Sequence, residues 1–69
     1  LIPENHPLYT HTTEGSDDMP AHLKSSIIGA SITVPITNHR INLGIWQGIY
    51  FCEFRNNVGS RKLVLSVYY

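Results

Sequence analysis

The sequence predicts an α+β fold: one helix packed on an antiparallel β meander, the whole forming part of a larger compact domain. Three observations predict it. An apolar repeat of period four, with helix start and stop residues at its ends, occurs once, before Gly29. Alternating, β-rich runs follow it, separated by polar turns. Cys52 is the one cysteine in 69 residues, so no disulfide framework replaces a core. A domain of this size buries only about 60% of the surface its unfolded chain exposes. A structural metal or oligomerisation is the usual supplement. The chain starts at Leu1, and "LIPENHP" reads as the middle of something longer. Residues 1–69 are therefore expected to form a single partial domain.

Residues 1–16 read as loop, since Pro3, Pro7 and Gly15 punctuate a Thr-, Asn- and His-rich run, with "PLYTHT" as one short extended piece. The helix follows, from about Asp18 to Ile28. Asp17 and Asp18 lie where a helix N-terminus favours negative charge, Pro20 suits a first turn, and Gly29 is a natural stop. Met19, Leu23 and Ile27 repeat every four residues, which predicts one buried stripe. Beyond the helix, "SITVPI" (31–36) alternates as a strand, at an edge or bulged at Pro35, which has no N–H to donate. "TNHR" (37–40) is a turn, and "INLGIWQGIYFCEF" (41–54) reads as a long strand with bends or bulges at Gly44 and Gly48. "RNNVGSR" (55–61) is a second turn, and "KLVLSVYY" (62–69) the last strand. On the long strand, Ile45, Ile49 and Phe51 share one face, and Trp46, Tyr50, Cys52 and Phe54 the other. Both faces are apolar, so both require cover, and one helix covers only one.

Five Lys and Arg balance five Asp and Glu, and they are scattered. That pattern disfavours strong binding to nucleic acid or to an anionic membrane. No apolar run approaches the roughly 20 residues of a transmembrane helix. A lone free cysteine leans toward a reducing, cytoplasmic location.

Titratable groups crowd the first third instead: His6, His11, His22, Glu4, Glu14, Asp17 and Asp18. On the helix, Asp18, His22, Ser25, Ser26 and Gly29 share a small, polar stripe turned away from Met19, Leu23 and Ile27. A histidine near the positive end of a helix dipole favours its neutral, ligand-competent ring. Two imidazoles, His11 and His22, with a carboxylate from Asp18 or Glu14, suit a zinc-type cation. Their spacing matches no self-contained zinc motif, and the same groups equally suit capping the helix and pinning the loop by hydrogen bonds. In "GIWQG" (44–48), Gln47 between two glycines is placed to enter a cleft, and Trp46 either stacks on a flat ligand or belongs to the core. Around the second turn, Arg61 either grips phosphate or forms a surface ion pair in the company of Glu53 and Arg55. His6 and His39 read as surface residues, Lys24 as solvated or at a subunit contact, and Cys52 as core.

"HPLYTHTTEGSDDMPAHLKSSIIGASITVPI" followed by "LGIWQGIYFCEFRNNVGSRKLVLSV" resembles the C-terminal half of the YjbQ-like family, often labelled secondary thiamine-phosphate synthase enzymes. The match runs from about Pro3 to Val67, and "EGSDDMPAHLKSS" and "LGIWQGIYFCE" are its most specific blocks. Members are longer, with an N-terminal half carrying a further histidine-containing segment. The resemblance implies a compact α+β fold, a homotrimer, and a transferase that joins a pyrimidine diphosphate to a thiazole phosphate, its ligand a small phosphorylated metabolite. It places His11, Glu14, Asp18 and His22 in the family's acidic-histidine block, Trp46 and Gln47 in its tryptophan-glutamine block, and Arg61 at its basic position. In that reading a divalent ion, zinc or magnesium, is held by His11, His22 and a group from the N-terminal half. Glu14 or Asp18 is the general base, Trp46 walls the heterocycle and Arg61 grips phosphate. The chain departs from the family at Ile45, where Thr is usual, and at Phe54, where many members have His. The alternatives are a non-catalytic metabolite- or metal-binding module and a structural oligomerisation fragment.

Overall fold

The computed structural model describes residues 1–69 apart from Val58. It has one helix and one two-stranded antiparallel sheet, in the order α1 (Asp18–Ile28), β1 (Ile36–Thr37) and β2 (Arg40–Ile41). The α+β class is as the sequence predicts, and the helix has the predicted bounds.

Local chemistry explains both helix ends. Asp17 precedes the helix, but its carboxylate makes no capping bond to it; that carboxylate bonds elsewhere, as described below. At the other end the Gly29 N–H donates to the Ser25 carbonyl at 2.8 Å. Gly29 has φ 88° and ψ 172°, a region open essentially to glycine alone. Before the helix, Gly15 adopts φ 117° and donates to Thr12 O at 3.3 Å. A Cβ on Gly15 would lie 3.1 Å from Asp17 Oδ1. This turn folds the segment carrying His11 back over the start of α1.

The predicted turn at 37–40 is a two-residue hairpin loop. Ile36 pairs with Ile41 and Thr37 with Arg40. Asn38 and His39 both have positive φ, 53° and 64°, the signature of a type I′ turn, whose twist matches that of the flanking strands. The Asn42 N–H donates to Pro35 O at 2.8 Å, one step beyond the ladder.

Strand extent differs from expectation. Among the described residues, pairing is confined to β1 and β2; 31–35, 42–54 and 62–69 make no ladder. The expected long strand at 41–54 is interrupted at its centre. The Gln47 N–H donates to Gly44 O at 3.1 Å, and the Gly44 N–H donates to Gln47 Oε1 at 2.7 Å. Backbone and side chain thus close one tight turn around Ile45 and Trp46. The expected turn at 55–61 includes Val58, which lies outside the described residues.

Burial differs too. Met19 and Leu23 are half-buried and Ile27 is 70% exposed, so the described residues cover the apolar stripe of α1 only in part. The helix buries Asp18, Pro20 and Ala21 instead, because ion pairs draw its opening turn onto residues 53–56. Cys52, expected in a core, is exposed. Trp46 is 94% exposed, and Leu63, Val64 and Leu65 are largely exposed. Lys24 is half-buried, its ammonium 5.9 Å from the centre of the Phe54 ring. The radius of gyration is 16.2 Å, against about 11 Å for a compact chain of this length. Among the described residues no helix is long and apolar enough to cross a membrane.

The Gly29 geometry yields one test. Gly29→Ala in the protein carrying this chain should lower unfolding stability by about 1–3 kcal/mol, read as a shift in the denaturant midpoint.

Candidate metal centre

Asp18 lies at the centre of the site. Its side chain is 7% exposed, and its two oxygens face different neighbours. Oδ2 lies 2.6 Å from His11 Nε2 and 3.4 Å from His22 Nε2. Oδ1 accepts from Arg55 Nη1 at 2.9 Å. His22 reaches Asp18 because four residues of helix place both on one face. His11 arrives from the preceding loop through the Gly15 turn. The two imidazole rings meet edge to face, with centres 5.0 Å apart. One ligand atom from each of His11, Asp18 and His22 lies within 4.8 Å of the other two. Both rings are exposed, while the carboxylate between them is buried.

A second network holds this arrangement from behind. Arg55 Nε donates to Asp17 Oδ2 at 3.0 Å and Nη2 to the Glu14 carbonyl at 2.9 Å. The Asn56 backbone N–H also donates to Asp17 Oδ2, at 2.7 Å, and its side-chain amide to Glu4 Oε1, at 3.0 Å. The Asn56 N–H and the Arg55 guanidinium together hold the Asp17 carboxyl below the usual carboxylate range. The Asp17 bond in turn holds the Arg55 guanidinium protonated to a higher pH than usual.

Arg61 faces Glu53 through a two-point contact, Nε to Oε1 at 2.6 Å and Nη2 to Oε2 at 3.2 Å. This bond, joined by the Arg55 backbone N–H, lowers the Glu53 pKa to about 2. Asp18, His22, Ser25, Cys52, Glu53 and Arg61 are among the residues lining a cleft of about 370 Å³.

The structure thus brings His11, Asp18 and His22 together and sets Arg61 in the adjoining cleft. Glu14 is exposed and contributes its backbone carbonyl to Arg55. Trp46 and Gln47 lie in the 44–47 turn, outside the residues that line the cleft. Arg55, expected beside Glu53 and Arg61 at the second turn, and Asp17, expected as a helix-terminal charge, instead bind each other and frame the site. One signal was available: two adjacent acids in a chain with five basic residues call for a counter-charge.

A family described as "UPF0047 protein YjbQ-like" matches residues 1–69. The chain is 44% identical over 66 residues to "UPF0047 protein YjbQ" of Salmonella typhimurium, covering 96% of this chain and 47% of the relative. It is 43% identical over 67 residues to "UPF0047 protein sll1880" of Synechocystis, covering 97% and 46%. It is 54% identical over 54 residues to "UPF0047 protein YugU" of Bacillus subtilis, covering 78% and 39%. The chain spans about half the length of the curated relatives it matches. No solved structure matches it. These names correct the expected activity. The relatives carry a family designation alone, with no thiamine-phosphate synthase function attached, so the transferase reading has no support.

The Glu53–Arg61 pair makes a prediction about pH. Glu53 is lowered from 4.5 to about 2 in the folded chain. Its contribution to stability is therefore fully present above pH 4.5 and is lost as pH falls through about 2. Glu53→Gln should flatten the acid limb of the stability curve in that window, followed by circular dichroism at fixed denaturant.

Proposed function

The chain belongs to the UPF0047 YjbQ-like family, and from that premise we propose that it contributes a divalent-metal site of zinc type, with His11, His22 and Asp18 as ligands and a coordination position left open toward the cleft. The observation that carries this reading is the convergence of the three ligand atoms within 4.8 Å. Tetrahedral zinc with bonds of about 2.0 Å sets its ligand atoms about 3.3 Å apart. The separations of 2.6 and 3.4 Å about Asp18 Oδ2 bracket that value, and with all three atoms within 4.8 Å of one another, adjustment of the two exposed imidazole rings would admit the ion. Two imidazoles with one carboxylate favour zinc, or another imidazole-binding transition metal, over magnesium, which takes oxygen ligands.

Three protein ligands leave room for a fourth, the pattern of sites that bind or activate a small ligand rather than only brace a fold. When bound, the ion supplies Lewis acidity to an oxygen donor. The chain's own groups shape the place for that donor. His22 and Asp18 form one wall of the cleft and Arg61 lines it as well. The ligand proposed there is a small phosphorylated metabolite, whose phosphate would compete with Glu53 for the Arg61 fork. Assembly as a trimer, with neighbouring subunits covering exposed apolar segments, is part of the same proposal.

The protein carrying this chain, freed of metal with a chelator, should bind one equivalent of zinc per chain in a competition titration. His22→Ala and Asp18→Asn should each weaken that binding at least about tenfold. Wild-type protein that takes up no zinc, or a folded His22→Ala variant with unchanged affinity, would overturn the reading.

A further inference from the structure

The carboxylate of Asp18 is divided between two functions, and Arg55 makes the division. Arg55 Nη1 occupies Oδ1 at 2.9 Å. Oδ2 is left to His11 and His22. The same guanidinium reaches Asp17 through Nε and the Glu14 carbonyl through Nη2. Three nitrogens thus hold three points of the segment that bears the site: the loop three residues after His11, the residue before the helix, and the helix's first residue. Arg55 is 28% exposed at its side chain, and its partners lie 37 to 41 residues away in sequence.

We infer that Arg55 is the positioning residue of the metal centre: by occupying Asp18 Oδ1 it makes Asp18 a one-oxygen ligand, and by gripping the Glu14 carbonyl it sets the loop that delivers His11. This inference rests on the metal reading above and deepens it. A carboxylate free at both oxygens can chelate an ion through both, which raises the coordination number and closes the open position. A carboxylate bonded at one oxygen by a guanidinium binds through the other. Groups behind metal ligands that orient them in this way typically change metal affinity 10–100-fold when removed. A lysine supplies one point charge and no planar fork, so it cannot hold three acceptors in this geometry.

The test uses zinc and cobalt(II) as probes on the protein carrying this chain. Arg55→Met, in the fraction that folds by circular dichroism, should bind zinc about 10–100-fold more weakly than wild type. Its cobalt(II) complex should lose visible absorption intensity, as expected when a four-coordinate ion gains a ligand atom. Arg55→Lys should recover affinity in part without recovering the wild-type cobalt spectrum. A role limited to holding the fold would lower thermal stability and leave the cobalt spectrum unchanged. A folded Arg55→Met variant with wild-type zinc affinity and an unchanged cobalt spectrum would therefore overturn the inference, even where His22→Ala abolishes binding and the metal reading stands. Loss of zinc binding in wild type itself would overturn both. Should Arg55→Met fail to fold, Arg55→Lys decides the question. It keeps the charge and loses the fork, so weakened zinc affinity with an altered cobalt spectrum supports the inference, and wild-type affinity with a wild-type spectrum overturns it.

Discussion

The contact on which the rest of the structure depends is the fork of Arg55 across Glu14, Asp17 and Asp18. Pro20 and Ala21 are the buried apolar residues among those described. So small a core cannot hold the helix to the second half of the chain. The charged groups do so. Arg55 and Asn56 reach back some forty residues, and the helix therefore turns its acidic opening face inward. Such partly buried pairs are strongly interdependent, since removing one member leaves the others desolvated and unmatched. The organisation of this segment and the geometry of its site rest on the same carboxylates.

That shared dependence explains why Asp18 is the most buried member of the site while its histidines are exposed. Arg55 satisfies Asp18 Oδ1, which leaves Oδ2 to face the two imidazoles. The exposed imidazoles need only approach the free oxygen. The Gly15 turn and the four-residue helical spacing bring them there from opposite directions, one along the loop and one along the helix. The cleft then borders Asp18 and His22 and contains Arg61, held by Glu53.

Local features were legible in the sequence. The bounds of the helix follow from Asp17, Pro20 and Gly29, and the hairpin from "TNHR", because short-range sterics and capping decide them. The meeting of His11 and His22 was readable as well, from their places before and within the first turns of the helix. Features set by distant partners were not. The apolar stripe Met19–Leu23–Ile27 is ordinary core patterning, yet the described residues leave it only half-covered. The run 41–54 has strand composition, but a strand needs a neighbour; without one, Gln47 closes a local turn on Gly44. Arg55 looked like a surface cation because its three acceptors lie far back in the chain. The activity suggested by family resemblance belonged to no residue pattern at all, and the names of the relatives do not carry it.

The terminal segment "KLVLSVYY" has a consequence for anyone handling this polypeptide. Leu63, Val64, Leu65 and Tyr68 are all largely exposed and make no ladder bonds. The seven residues after Lys62 carry no charged side chain, proline or glycine. That combination is the template from which cross-β stacking grows. Expressed by itself, this stretch of protein is expected to form fibrils or inclusion bodies through its last seven residues, and a lysine placed among them would act as a gatekeeper.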